Sequence, residues 1–235
     1  MNAEYWTTMI LNNFAVIEGC DGSGTTTQLM LLTKRFEAAA NARCSGTDKQ
    51  KARCCTLPPF YATSEPTKTE VGLLVRRILE GAAAVQKETL ARLFAADRGE
   101  HLYGPEGIAE RCERGTLVVS DRYTPSSLVY QGLECGRELP ETLNAAFPLP
   151  ELLVYLDVDT ETAMGRIGGR DRKREIYERL DFQARVREAY LELLPVYEKA
   201  GVRVVRQDGL VPPEEAAQGI WRALEKMPIM ERAKA

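Results

Sequence analysis

Gly19-Cys-Asp-Gly-Ser-Gly24 runs straight into Thr25, Thr26 and Thr27. So dense a set of glycines reads as a turn. Turns of this kind point successive backbone N–H groups at one place, where phosphate oxygens bind. The spacing G-x-x-x-x-G-K-[ST] starts at Gly19 and reaches Gly24, but Thr25 stands at the lysine position. That lysine normally reaches the β and γ phosphates. Threonine is short and uncharged, so the positive charge has to come from elsewhere or is absent. Thr26 follows at the position whose hydroxyl serves magnesium. Gly19, Asp21, Gly22, Ser23, Gly24, Thr25, Thr26 and Thr27 are the expected phosphate contacts. An ordinary glycine turn between a strand and a helix is the plainer reading of these residues alone.

Three further groups carry possible chemistry. Asp121-Arg122-Tyr123 follows the apolar triplet Leu117-Val118-Val119. A carboxylate there can hold hydrated magnesium or accept a proton, and the arginine fork can grip phosphate oxygens. A solvated strand end with an incidental ion pair would look the same. Phe94 and Arg98 stand four apart, on one face of a helix. An aromatic ring can stack on a base while the guanidinium binds a base edge or phosphate, although a core ring beside a surface arginine is the commoner case. Gly168-Gly-Arg-Asp-Arg-Lys-Arg174 puts several cations on glycine hinges. This suits a lid closing over phosphates, and it offers charge that Thr25 lacks.

The elements needed to hold these groups can be read from the pattern. Phe14 to Ile17 predicts a buried strand at about 14–18, with residues 1–12 as an extension before it, and helical spacing predicts a helix over about 26–40. Residues 41–55 are polar, carry three cysteines, and read as a surface-loop insertion. A short second strand is expected within 55–62, where Pro58 and Pro59 argue for an edge or a strand end. Thr63 to Thr69 reads as a turn, followed by a helix over Val71–Leu79 with Val71, Leu74, Val75 and Ile78 on one face. Residues 86–113 read as helical with a break near Gly104-Pro105. Strand three is centred on 117–119, with Asp121 just past its end, and a helix starts near Pro125. Strand four covers 152–158, with a short helix at 160–167 behind it. A basic lid at about 168–176 precedes a long helix over 178–199, strand five at 202–205 and a last helix at 213–226. Strands alternating with helices predict an α/β fold: a five-stranded parallel sheet with helices on both faces, in a single domain spanning 1–235. In such sheets ligands bind beyond the C-terminal strand ends. The glycine loop, Glu65, Asp121 and Arg122 all fall there.

Composition narrows the function classes. The chain has 235 residues, 28% of them charged, and a net charge of −3, so no global basic field points to nucleic acid. A single histidine, His101, excludes a multi-histidine metal site. Six cysteines without a C-x-x-C pair argue against a zinc ribbon or thioredoxin motif, and free thiols in a reducing cytoplasm are expected. No apolar run approaches the roughly 20 residues that span a membrane, and the N-terminal stretch does not read as a signal peptide.

Taken together, these stretches resemble thymidylate kinase, a nucleoside-monophosphate kinase. The resemblance runs from Phe14 to about Leu194 through FAVIEGCDGSG, SEPTKTEVG, LFAADRGEHL, SDRYTPSSLVYQG, PELLVYLDVDTETAMGRI and FQARVREAYLEL, in that order. It implies a P-loop NTPase-type fold and transfer of the ATP γ-phosphoryl group to dTMP, with Mg2+ as cofactor and a homodimer as the assembly. By motif position the glycine loop would bind ATP. Asp21 would approach the acceptor sugar, Phe94 would stack on thymine, and Arg98 would contact the base or the acceptor phosphate. Glu65, Arg122, Ser127 and Gln131 would lie on the acceptor side. Asp121 and Thr26 would serve magnesium, with Asp121, Arg122, Arg170 and Arg172 as the catalytic set. Arg166 joins the lid arginines.

Two departures stand out. Residue 25 is not lysine, and the family's TREPGGT stretch, whose arginine contacts the acceptor phosphate, reads Thr63-Ser64-Glu65-Pro66-Thr67-Lys68-Thr69. Lys68 is the nearby cation. A kinase for another nucleoside monophosphate, or a nucleotide-binding module with little catalysis, remain the alternatives at this stage.

Overall fold

In a computed structural model of the chain, residues 9–45, 57–168 and 180–233 are described. Strands β1 (Ile10–Gly19), β2 (Phe60–Ser64), β3 (Leu117–Asp121), β4 (Leu149–Asp157) and β5 (Arg203–Asp208) form one sheet in the order β2-β3-β1-β4-β5. Every neighbouring pair is parallel. The order reverses at β1, which lies between β3 and β4. A crevice opens beyond strand ends at such a switch point.

Buried strands explain the apolar runs. Successive residues face opposite sides of a sheet, and both sides here are covered. Phe14, Val16, Val118, Leu153 and Tyr155 pack on one face; Ala15, Ile17, Val119, Leu152 and Val154 pack on the other. The first face is covered by α2 (Glu70–Leu79), α3 (Lys87–Tyr103), α4 (Ile108–Glu113), α5 (Thr124–Cys135) and α8 (Leu180–Lys199). The second is covered by α1 (Thr25–Ser45), α9 (Pro213–Leu224) and α10 (Pro228–Arg232). Phe36 of α1 stacks on Phe60 of β2 at 4.1 Å and meets Trp221 of α9, tying that layer together. Two short helices, α6 (Glu138–Asn144) and α7 (Thr160–Gly168), complete the described set.

The register brings the chemistry level. Ile17 and Ser64 both pair with Asp121 across the sheet. Glu65 N–H then donates to Asp121 C=O, and Arg122 N–H to Ile17 C=O, each at 3.0 Å. The residues just past three neighbouring strands are thus fixed to one another by backbone bonds.

Several expectations need correction. β1 begins at Ile10 rather than 14, because Ile10 and Leu11 pair with Leu149 and Pro150; the polar Asn12-Asn13 is a bulge, with Asn13 at φ 66°. The first helix runs on to Ser45, so residues 41–45 are helical and not loop; the rest of the proposed insertion, 46–55, falls outside the described residues. Leu74 is exposed, and Leu79 takes the inward place beside Val75 and Ile78. Asp121 is the last residue of β3, not a residue beyond it. Two short helices, α6 and α10, escaped notice because neither is long enough to show a period. The lid at 168–176 lies, save for Gly168 at the end of α7, outside the described residues.

Candidate active site

A cleft of about 310 Å³ opens at the switch point. Its floor is the glycine loop. Gly22 and Gly24 have φ of 82° and 102°, a region that side-chain-bearing residues rarely adopt. A Cβ at Gly22 would strike Ala163 C=O at 2.1 Å, so α7 closes directly over the loop; at Gly24 it would project into open space. Asp21, Gly22, Gly24, Thr25, Thr26 and Thr27 line the cleft, whereas Gly19 and Ser23 support it from behind. The α1 N-terminus begins at Thr25, adding partial positive charge where anions would sit.

Asp121 and Thr26 meet across that floor. Thr26 Oγ1 donates to Asp121 Oδ2 at 2.6 Å. Asp121 Oδ1 is buried with no hydrogen-bond partner among the described residues. A hard divalent cation asks for oxygen donors and fills its remaining positions with water and phosphate, so a hydroxyl beside a half-unsatisfied carboxylate fits magnesium. No cluster of three or more His, Cys, Asp or Glu exists among the described residues.

Arg122 reaches the glycine loop from the end of β3. Its Nη1 donates to Gly19 C=O at 3.0 Å and its Nη2 to Asp21 Oδ1 at 2.5 Å. Its backbone sits at φ 74°, a left-handed conformation for a non-glycine residue. Glu18, wholly buried at the end of β1, fixes that turn. One carboxylate oxygen accepts from Tyr123 N–H at 2.8 Å; the other accepts from Ser126 Oγ at 2.7 Å and Tyr190 OH at 2.8 Å. Gln183 of α8, also fully buried, holds Asp21 from the other side: its Oε1 accepts Asp21 N–H at 3.2 Å and its Nε2 donates to Asp21 Oδ2 at 3.0 Å.

Burial pushes the Glu18 carboxyl up from its ordinary 4.5 to about 7, with Arg122 and the donors from Ser126, Tyr190 and Tyr123 pulling only partly the other way. Between these two values the folded chain holds a proton that the unfolded chain has lost. Glu18 therefore makes stability fall as pH rises from about 4.5 to about 7, by roughly 3 kcal/mol in full. Denaturant melts at pH 5 and pH 8 check this: the loss in the wild type should be clearly smaller in Glu18→Gln, and equal losses would remove the assignment.

The opposite wall carries Phe94, Arg98 and Gln131. Arg98 is almost fully buried. Its Nε and Nη2 donate to Glu65 Oε2 at 3.0 and 2.6 Å, Nη2 also reaches Ser127 Oγ at 3.0 Å, and Nη1 bonds Asn144 Oδ1. Ser127 thus contacts Arg98 and does not itself line the cleft. Gln131 Oε1 is buried with no partner among the described residues. Phe94 presents its ring half-buried to the cleft.

Lys68 is exposed and does not line the cleft; Arg76 does. Its described partners are backbone carbonyls, of Thr67 at 3.3 Å and of Pro66, so no carboxylate neutralises it among the described residues. Sequence reasoning missed Arg76, Glu18, Gln183, Ser126 and Tyr130, whose ring lines the cleft 5.3 Å from the Arg122 guanidinium. A charged residue closing an apolar strand just before the glycine loop was the available signal for Glu18. Arg76, one residue from the inward Val75 on α2, was the signal for the acceptor-side cation. Gln183 and Tyr190 share one face of α8 seven residues apart, a spacing that only the packing makes meaningful. Arg166 braces the loop, donating to Ser23 C=O at 3.3 Å and Gly209 C=O at 2.8 Å. Arg170 and Arg172 lie outside the described residues.

Comparison with known proteins points the same way as the cleft. The family model described as Thymidylate kinase matches residues 17–209. A relative in Treponema pallidum, named as a thymidylate kinase, is 39% identical over 77% of this chain and 78% of its own length. One in Pyrobaculum aerophilum, likewise named, is 35% identical over 91% of this chain and 97% of its own. The solved structure of a thymidylate kinase from Candida albicans superposes with a TM-score of 0.70 over 93% of each chain, at 23% identity, and so speaks for the fold.

Proposed function

This chain belongs to the thymidylate kinase family and moves the γ-phosphoryl group of ATP to dTMP to give dTDP, and we propose that it does so through the cleft described above, with Arg122 rather than a P-loop lysine as the fixed cation. The observation that carries this reading is the convergence of three parts in one cleft. They are the phosphate loop, the Asp121–Thr26 pair, and a wall bearing Phe94, Arg98 and Gln131.

In the proposal, backbone N–H groups of the loop and the α1 N-terminus receive the ATP phosphates. Thr26 and Asp121 would hold Mg2+, which neutralises phosphate charge when bound. An oxygen of the dTMP phosphate attacks the γ-phosphorus and ADP leaves. Arg122, reaching the loop from the end of β3, screens the two phosphate groups from each other. Little covalent chemistry falls to the protein, so positioning and charge do most of the work. Arg76 takes the acceptor-side role that Ser64 cannot fill, since no carboxylate competes for it among the described residues. Phe94 stacks on the base, Gln131 offers its free oxygen to a base N–H, and Asp21 faces the acceptor sugar. Arg170 and Arg172 close over the phosphates as a lid.

The same reading makes residues 1–235 a single domain, acting as a cytoplasmic homodimer. Leu73 and Leu74 of α2, 49% and 38% exposed, support an apolar contact face, and the free thiols of Cys20, Cys112 and Cys135 suit a reducing compartment.

The acceptor is tested by kcat/KM over dTMP, dUMP, dCMP, AMP and GMP with ATP and magnesium. We expect dTMP to lead the ribonucleotides by about a hundredfold or more, because a base edge that leaves Gln131 unsatisfied forfeits a buried hydrogen bond. Preference for another monophosphate would keep the chemistry and overturn the acceptor.

A further inference from the structure

We propose that His101, the only histidine of the chain, is a positioning residue, held with its hydrogen on Nδ1 between Thr63 and Glu65 so that Glu65 keeps Arg98 aligned on the acceptor wall. The inference rests on the reading above, in which Arg98 faces the acceptor base.

His101 is nearly buried on the inner face of α3, one turn beyond Arg98. Its Nδ1 lies 3.1 Å from Glu65 Oε1 and its Nε2 lies 2.6 Å from Thr63 Oγ1. A carboxylate facing it across that bond accepts, so the hydrogen belongs to Nδ1. Nε2 then keeps its lone pair and accepts the Thr63 hydroxyl. The other Glu65 oxygen takes two N–H groups of Arg98. With Ser127 and Asn144, these contacts use four of the five N–H donors that a guanidinium carries. The planar group is consequently locked, and its locking depends on where Glu65 points.

Glu65 sits just past β2, where a strand end could swing. Oε2 is fixed by Arg98 alone; Oε1 is fixed by His101 alone among the described contacts. The histidine therefore sets the rotation of the carboxylate and, through Thr63, refers it to the sheet. Asp97, the neighbour of Arg98, does the same for the next turn: it accepts Thr67 N–H at 2.8 Å and the Thr67 and Thr69 hydroxyls at 2.5 and 3.1 Å. One face of α3 thus clamps both halves of the segment Thr63 to Thr69.

The test uses the whole enzyme. With one histidine, a 15N-labelled sample gives one imidazole in a long-range proton–nitrogen spectrum at pH 8. We expect hydrogen on Nδ1 and a bare Nε2; hydrogen on Nε2 overturns the assignment. In kinetics, His101→Asn keeps an N–H at the Nδ1 position, whereas His101→Gln moves it toward Nε2. We expect KM for dTMP to rise about tenfold in His101→Gln and to stay within about threefold of wild type in His101→Asn, with KM for ATP little changed in both. Equal damage in the two variants, or an equal rise in KM for ATP, would mean a merely structural histidine. If neither variant folds, the imidazole spectrum of the wild type decides. Turnover of dTMP by the wild type, measured alongside, tests the functional reading separately: its failure sinks that reading, while the spectrum still decides the placement of the hydrogen.

Discussion

Arg122→Met should lower kcat for dTDP formation about a thousandfold, with only a small change in ATP affinity. Binding of ATP draws on many backbone N–H groups of the loop, so one guanidinium contributes a small part of it. Transfer is different, because charge builds where the two phosphates approach and Thr25 supplies none. The guanidinium is already held at the loop by Gly19 C=O and Asp21, so little reorganisation is needed. Arg122→Lys should also be poor, since an ammonium is a point charge that cannot bond Gly19 and Asp21 together as the fork does. Steady-state rates with direct product separation, set beside ATP affinities from calorimetry, check this. A loss of less than about tenfold would move the main cation to the lid arginines.

Glu65→Leu should destabilise the fold by about 3–5 kcal/mol, because it strands the Arg98 guanidinium in a buried site. The Nδ1–H of His101 loses its acceptor in the same step. Arg98→Met alone leaves Glu65 unpaired and should be nearly as costly. The double variant Glu65→Leu with Arg98→Met should cost clearly less than the sum, since neither charge is then left alone. Urea melts at constant m-value measure all three. Additive losses would show that the pair does not act as a unit.

Much of this was legible in the chain. Alternating apolar runs and helical spacings suffice for a sheet covered on both faces, and the glycine loop with Asp121 past an apolar triplet places the cleft. Candidate ligand contacts such as Phe94 and Thr26 show themselves by type and spacing, and Gln131 by the family resemblance. Residues that act through others do not. Glu18, Gln183 and Tyr190 look like ordinary polar positions until the burial of α8 against β1 brings them together. Arg98 was legible as a candidate site residue, yet its ties to Glu65, Asn144 and, through Glu65, His101 join three separate elements. The start of β1 was missed because pairing with Leu149, far along the chain, overrides the polar Asn12 and Asn13. Arg76 lies on α2, and only the packing of that helix brings its guanidinium to the cleft.

The most direct measurement follows the label from γ-32P ATP in the unmodified chain, with Thr25 in place, given dTMP with and without magnesium. Label appearing in dTDP, dependent on both dTMP and magnesium, is the expected result and establishes that the loop works without its lysine. ATP and dTMP that both bind, with the label remaining in ATP or released only as free phosphate, would contradict a kinase and leave a nucleotide-binding protein.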